Sequence, residues 1–276
     1  MERNHTIIKN AIEFLLFNYF GLTLEDGNNK DIIIQKAVEL AYNDATNQGA
    51  FNALFTEKSI PSEEQDNIQL IKNGVKELAS VLEEKVKDLY DNNESFDEWH
   101  KNLCKKLLDK YQDLCQANDC PSAVSFFSYG NAQKWVNMTI KNLYVISGAY
   151  LAMGCEDNKS FFESVDARSS GYHIPLDNLI LGEVYKQELL GSRENGPIWK
   201  SGKKEPSYSI SDFKNDTKQK YTWSRIPSRD FYETFREKLE EAIQKEGTSI
   251  EWECKNWIKR KKLIKKLGKD LSAIDD

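Results

Sequence analysis

Apolar side chains recur every three or four residues along most of this chain, a spacing typical of amphipathic α-helices. The first such stretch ends at Gly21, a common helix terminator, and its apolar stripe consists of Ile7, Ile8, Ala11, Ile12, Leu15, Leu16 and Tyr19. The same spacing continues in residues 31–46, 63–91, 95–117, 229–245 and 249–267. No segment shows a convincing strand alternation, although residues 208–210 have the composition of a short strand. The pattern predicts an all-α protein, a multi-helix orthogonal bundle with long irregular loops.

Several segments interrupt this periodicity. The stretch "NDCPSAVSFFSYGNA" leads into an apolar helix predicted to begin near Asn131, and residues 155–173 are predicted to form a loop because they are rich in small and polar side chains. Pro175 and Asp177 then open a helix predicted to continue to Leu190. Residues 191–227 lack clear periodicity, which is typical of a functional or disordered segment.

Composition limits the class of protein. Of the 276 residues, 39% are hydrophobic and 30% are charged, which is enough for a buried core and a solvated surface. No apolar run reaches the ~18 residues of a membrane span, and the N-terminus lacks the features of a signal peptide, so we expect a cytoplasmic protein without membrane contact. The five cysteines are an odd number without a repeated short spacing, which argues against a disulfide scaffold. Cys115 and Cys120 lack well-placed histidines, so no metal, iron–sulfur cluster or other cofactor is predicted.

Charge is distributed unevenly. Residues 1–120 carry 13 basic and 22 acidic side chains, whereas residues 121–276 carry 25 basic and 22 acidic ones. Within 255–269, eight side chains are basic and none is acidic. This predicts an acidic N-terminal helical part, 1–120, and a second part, 121–276, with a basic C-terminal helix, either separate or joined in one continuous domain. The basic run indicates either a polyanionic partner or a solvated helix face packed near the acidic part.

Two lysines lie on one side of the apolar helix that follows residue 131. Lys134 and Lys141 are seven residues apart, and Lys134 falls in the predicted first turn, where the helix dipole lowers the pKa of an amine and favours it as a nucleophile. Asp177, in "HIPLD", occupies the N-cap position of the next apolar helix. The alternative is structural: the lysines extend to solvent and the aspartate only caps its helix.

The segment "AQKWVNMTIK", followed by "HIPLD", resembles the catalytic core of the helix–hairpin–helix DNA glycosylases, nearest to the archaeal 8-oxoguanine (GO) glycosylase branch. The resemblance covers roughly residues 121–190. It implies that Lys134 is the Schiff-base nucleophile, Lys141 a supporting residue and Asp177 the carboxylate that assists cleavage. The partner would be double-stranded DNA with a flipped base. The usual Leu-Pro-Gly-x-Gly hairpin is not present, since the approach to the lysine contains only Gly130, and 43 residues separate Lys134 from Asp177.

An enzyme of this class must hold an extruded base and bind phosphates. The aromatic candidates for the base pocket, whose alternative role is core packing, are Phe126, Phe127, Tyr129, Trp135 and Trp223. The basic candidates for nucleic-acid binding are Lys203, Lys204, Arg225, Arg229, Lys259, Arg260, Lys261 and Lys262.

Three other interpretations fit the same residues. The chain could be a non-enzymatic α-helical module that binds nucleic acid or protein, or a catalytically silent descendant that still binds nucleic acid. A nuclease would use Glu251 and Glu253 beside Lys255. For that segment, "SIEWECKNWIKR", we prefer an amphipathic helix with Trp252 and Trp257 in the core.

Overall fold

The computed structural model describes residues 2–46, 61–92, 94–176 and 228–272, together with positions 180, 184, 189 and 226. Regular structure in these ranges is entirely helical, so the all-α prediction is confirmed. The α-helices are α1 (Glu2–Phe20), α2 (Lys30–Thr46), α3 (Ile68–Asp91), α4 (Phe96–Ala117), α5 (Tyr129–Ala152), α6 (Lys159–Ala167), α7 (Arg229–Ile243) and α8 (Ser249–Ser272). Short 3₁₀ turns cover Glu25–Asn28, Ser62–Asn67, Pro121–Phe126 and Ser169–Gly171. Within the described ranges, no helix combines the length and apolar character needed to cross a bilayer.

Helix α5 is the centre of the protein. All nine residues from Tyr129 to Asn137 are buried, and α1, α2, α4 and α6 pack around the helix. A capping box between Ser128 and Asn131 fixes where α5 begins. On the side facing α2, Trp135 Nε1 donates to the carbonyl of Val38 at 3.2 Å. Because these first nine residues are buried on every side of the helix, its polar residues there lie inside the protein.

One hydrophobic core contains buried residues from both sides of residue 120. Helix α3 packs along α4, and Trp99 Nε1 donates to the carbonyl of Lys85 at 2.8 Å. Helices α2 and α4, from the acidic part, then pack directly on α5. The proposed division at residue 120 stays a prediction, but the packing across it is continuous.

One secondary-structure prediction is wrong. Residues 155–173 do not form a loop throughout, because α6 occupies Lys159–Ala167 and buries Phe161, Phe162 and Val165. The helix follows two left-handed residues, Gly154 at φ +72° and Asn158 at φ +55°. Its three buried apolar residues are too few to stand out among polar neighbours, which is why the pattern did not predict it. The predicted helix to Leu190 lies largely outside the described residues, and residues 191–225 and the possible strand at 208–210 lie wholly outside them.

Candidate functional site

Lys134 lies inside the protein. It is 4% exposed and sits among other buried polar residues of α5, including Gln133 and Asn137. Because α5 begins at Tyr129 rather than near Asn131, Lys134 falls in the second turn instead of the first. The influence of the helix dipole is weaker there than the sequence predicted. Lysine is rarely buried unless its amine has a partner or a chemical role, so this position requires one of the two.

The segment that precedes Asp177 runs beside the helix that carries Lys134. His173, Ile174, Pro175 and Leu176 are all buried. Asn137, one turn along α5 from Lys134, places its Nδ2 3.4 Å from the carbonyl oxygen of Ile174. The start of the "HIPLD" segment therefore contacts α5 within one turn of the lysine. Asp177 itself lies outside the described residues.

A buried polar network joins this segment to three helices. His173 Nε2 lies 2.6 Å from Asp97 Oδ1 of α4, and His173 Nδ1 lies 3.2 Å from the hydroxyl of Tyr232 on α7. That hydroxyl accepts a hydrogen bond from Asn137 Nδ2 at 2.9 Å, and Asn137 Nδ2 also donates to Gln133 Oε1 at 3.0 Å. The network positions residues 172–176 against α5.

His100 packs against both His173 and Tyr232 of the network. Its ring stacks on Tyr232 with centroids 5.4 Å apart and lies 4.5 Å from the ring of His173. Burial lowers the pKa of His100 well below its usual value, and the neighbouring His173 and Arg236 lower it further. Burial likewise lowers the pKa of His173, although the hydrogen bond to Asp97 opposes that shift. Both imidazoles are therefore neutral near pH 7.

Asp97 is the solvent-facing end of the network. The hydrogen bond from His173 and the positive charge of Arg236 lower its carboxyl pKa, while partial burial opposes them. Arg236 Nη1 lies 3.6 Å from Asp97 Oδ1, and its other contacts are to Glu233 at 3.0 Å and Glu240 at 2.6 Å. An open cleft of about 360 Å³ lies above these groups, lined by Asp97, Glu98, Lys101, Arg229, Asp230, Glu233, Thr234, Arg236 and Glu237.

The Asp–His–Tyr order resembles an acid–base relay, but its burial does not suit a reaction at the tyrosine. Tyr232 is 0% exposed and the His173 side chain is 0% exposed, whereas the Asp97 side chain is 60% exposed. A substrate in the cleft would meet the aspartate and not the hydroxyl. We therefore assign the network a positioning role.

Lys141 is held by the C-terminal helix. Its Nζ lies 2.7 Å from Glu253 Oε1, and the Glu253 side chain is 1% exposed. The same ammonium lies 5.7 Å from the ring centroid of Trp257. In these contacts Lys141 joins α5 to α8, and its predicted supporting role at the Lys134 site stays a prediction.

The two glutamates of the nuclease interpretation have structural contacts. Glu253 pairs with Lys141, and Glu251 forms a capping box at the start of α8. The Thr248 backbone N–H donates to Glu251 Oε2 at 2.9 Å, and the Glu251 backbone N–H donates to Thr248 Oγ1 at 3.3 Å. Trp252 is buried and Trp257 packs against the core, as the amphipathic interpretation predicted. Among the described residues, no group of three histidine, cysteine or acidic side chains is arranged to hold a metal ion.

The predicted base-pocket residues have core neighbours wherever they are described. Trp135 packs on Tyr42 with ring centroids 5.1 Å apart and is 0% exposed. Phe127 packs on Tyr111 at 5.1 Å, and Tyr129 packs on Tyr232 at 5.6 Å. Phe126 is partly buried against the same core, and Trp223 lies outside the described residues. A role for any of them in holding a base stays a prediction.

The basic residues predicted to bind nucleic acid are partly described. Arg229 is exposed in the wall of the cleft. Lys259 and Lys262 are exposed on α8, and together with Lys255 they recur at i, i+4 and i+7, which places them on one side of the helix. Arg260 and Lys261 lie in the same helix with side chains outside the described set, and Lys203, Lys204 and Arg225 lie outside the described residues.

Comparison with protein-family models, curated proteins and solved structures finds no match to this chain. The functional interpretation therefore depends on the chemistry of the residues themselves.

Sequence reasoning did not predict the network around His173. Two signals for it were present. His100 interrupts the apolar stripe of α4, and Tyr232 occupies an apolar-stripe position in α7 with Phe235 and Leu239. A polar side chain at a core position predicts a buried hydrogen bond, although it does not name the partner.

Proposed function

We propose that this protein is a DNA glycosylase that removes a damaged or modified base, with Lys134 as the attacking amine. The observation that carries the proposal is the contact between Asn137 and Ile174, at 3.4 Å, which brings the start of the "HIPLD" segment within one turn of a buried lysine. A site formed by Lys134 on α5 and Asp177 after "HIPL" requires α5 and this segment to be in contact. The network of Asp97, His173 and Tyr232 would hold the segment in place.

The chemistry assigns one task to each group. Lys134 is 4% exposed, so DNA can reach its amine only if the side chains that cover it move aside. In its deprotonated form the amine then forms a bond to C1′ of the sugar, while the bond from C1′ to the base breaks and the base leaves with its electron pair. The carboxylate of Asp177 stabilises the positive charge that develops on the sugar. Opening of the sugar ring then gives an imine, and loss of a C2′ proton expels the 3′ phosphate, which cleaves the strand.

DNA binding would use the basic residues of the second part of the chain. Lys255, Lys259 and Lys262 form an exposed stripe on α8, and Arg229 lies in the cleft wall. Phosphate contacts by such residues are weakened by salt, since binding releases counterions from the DNA. Affinity for duplex DNA should therefore fall steeply between low and physiological salt.

The test is covalent trapping by borohydride on duplexes that carry 8-oxoguanine, uracil or an abasic site. The wild-type protein should form a borohydride-stable complex with at least one of them, and Lys134→Gln should not. Lys105→Gln is the matched control, because the Lys105 side chain is 75% exposed on α4 and its loss should leave trapping unchanged. Circular dichroism of each variant shows whether the fold is retained.

Trapping by a folded Lys134→Gln variant would assign the nucleophile to another residue. Salt-sensitive DNA binding with no trapping on any duplex would favour the alternative, a non-enzymatic α-helical module that binds nucleic acid. If neither trapping nor DNA binding is detected, a protein-binding module becomes the better interpretation.

A further inference from the structure

Helix α1 is apolar on both of its sides. Its inward side packs on the core through Leu16, which is 2% exposed, with Ile12 and Phe20 beside it. Six further apolar residues form what we call the outer face of α1, which extends over about 200° of the helix circumference. They are Ile7, Ile8, Phe14, Leu15, Phe17 and Tyr19, each between 51% and 71% exposed. A helix with apolar residues all round is normally a buried helix, so this face is suited to contact with another apolar surface.

The outer face of α1 carries no charge. From Thr6 to Tyr19, a range that the structure describes completely, every exposed position is apolar, asparagine or threonine. The two charged residues of this range, Lys9 and Glu13, are only partly exposed, and Glu13 Oε1 turns inward to accept the backbone N–H of Leu24 at 3.3 Å. An interfacial membrane helix or a nucleic-acid contact would instead need several lysine or arginine side chains beside the apolar residues, whereas the range from Thr6 to Tyr19 contains only Lys9.

An uncharged face is suited to contact with a second copy of itself. In a two-fold dimer the same patch is used by both subunits, so any charge near the axis would meet its own equivalent. The chain has a formal net charge of −6, which keeps other surfaces of two copies apart. The outer face of α1 avoids that repulsion.

The two asparagines of this face indicate an arrangement. Asn10 and Asn18 are each four residues from Phe14, so an antiparallel pair of α1 helices centred on Phe14 places Asn10 of one copy opposite Asn18 of the other. Asn18 Nδ2 donates to the backbone carbonyl of Phe14 at 2.8 Å. The side-chain Oδ1 of Asn18 can then accept a hydrogen bond from Asn10 of the second copy. Asparagine within an apolar helix seam commonly fixes register.

The contact area is that of a small dimer. An antiparallel pair centred on Phe14 covers Ile7, Phe14 and Phe17 with the two asparagines, roughly 400–500 Å² of each copy, because the other three apolar residues lie further round the helix. Specific protein interfaces bury about 1,000 Å² or more in total, so this pair lies at the lower limit of that class. We propose that the protein forms a homodimer through antiparallel packing of the outer face of α1.

The test measures molar mass by light scattering after size exclusion. The wild-type protein should have twice the 31.9 kDa of one chain, and Phe14→Glu should reduce this to one chain. Leu70→Glu is the matched control: Leu70 is 52% exposed on a different helix, α3, so the same charge there should leave the dimer intact. The dimer should also persist in high salt, because its contact surface is uncharged.

A pair of charge substitutions tests the arrangement. Asn10→Asp alone and Asn18→Lys alone should each weaken the dimer, and the double variant should restore it, because each new charge then faces its opposite across the pair. A monomeric wild-type protein, a dimer that survives Phe14→Glu, or aggregates without a fixed mass would overturn the proposal. A double variant that stays monomeric would overturn the antiparallel arrangement. A monomer would also indicate that another part of the chain or a different protein covers this face.

Discussion

His173 and Asp97 meet across the boundary between the interior and the solvent. The imidazole side chain of His173 is 0% exposed, the Asp97 carboxylate is 60% exposed, and 2.6 Å separates Nε2 from Oδ1. Through this contact, a buried network that extends to α5 is connected to a carboxylate in the wall of an open cleft. The ionisation of the network should therefore control the stability of the fold around the candidate site.

We expect the free energy of unfolding to decrease as the pH falls below about 6.5, the usual pKa of histidine in an unfolded chain. Burial lowers the pKa values of His100 and His173 in the folded protein, so below that pH the unfolded chain binds more protons than the folded one. The stability that the neutral imidazoles contribute is complete above pH 6.5 and is lost as the pH falls through their folded pKa values. Urea titrations from pH 8 to pH 5, followed by circular dichroism, measure the change.

His100→Gln is the control for this pH dependence, because its amide does not titrate and the slope should become shallower. Asp97 acts in a more acidic window. Its carboxyl pKa is lowered in the folded protein, so its contribution to stability is lost only below pH ~3.9, the usual pKa of an aspartate. If the unfolding free energy of the wild-type protein stays level or rises from pH 7 to pH 5, the lowered pKa values of His100 and His173 are contradicted.

Tyr232→Phe should destabilise the protein by roughly 1–2 kcal/mol. The change removes the hydroxyl that bonds Asn137 at 2.9 Å and His173 at 3.2 Å, and it leaves both polar groups buried. Tyr144→Phe removes a hydroxyl from a partly buried side chain outside this network, and it should change the unfolding free energy by a few tenths of a kcal/mol at most. Equal effects at the two positions would show that the network does not stabilise the fold.

Lys141→Met should destabilise the protein by about 3 kcal/mol, since it removes the charge that neutralises the buried Glu253 carboxylate. Lys105→Met is the comparison, because Lys105 pairs with Asp109 on the surface of α4 and that loss should cost no more than ~0.5 kcal/mol. Chemical denaturation of both variants gives the two values. Combining Lys141→Met with Glu253→Gln should recover part of the loss, and no recovery would mean that the charge pair is not the cause.

Two helical glycines should respond oppositely to alanine. At Gly74 in α3, an added Cβ would collide with the Leu114 side chain on α4, and we expect Gly74→Ala to destabilise the protein by roughly 1–3 kcal/mol. At Gly148 in α5, an added Cβ meets nothing within 4 Å, so Gly148→Ala should stabilise by about 0.5–1 kcal/mol through helix propensity. Thermal unfolding of the two variants checks the signs. The same sign at both positions would contradict the close contact between α3 and α4.

The fold could be predicted from the sequence where the signals are local. The stripe from Ile7 to Tyr19 predicted α1, and Gly21 terminates it with φ +64° as expected. The stripe of Phe96, Trp99 and Leu103 predicted α4, whose N-cap is Ser95. Helix α6 was not predicted, since its three buried apolar residues stand among polar ones.

The candidate site was harder to predict because its contacts are distant in sequence. Periodicity indicated that Lys134 belongs to a largely apolar helix, and the lysine is buried there. It did not indicate that His173 would meet Asp97, 76 residues earlier, or that Tyr232 would meet Asn137, 95 residues earlier. A helical pattern indicates an apolar side of each helix, but packing decides whether that side is covered and by which partner. In α1, the stripe residues Ile7, Ile8, Leu15 and Tyr19 are 51–71% exposed.

The burial of α5 by helices from both parts of the chain has a practical consequence for dissecting the protein. A fragment beginning at residue 121 would contain α5 without α2 and α4, and would expose most of the apolar surface that these helices cover. We expect such a fragment to aggregate when it is produced alone. Co-expression with residues 1–120 should restore a folded, non-covalent complex, which would make split-protein complementation a workable assay for this fold.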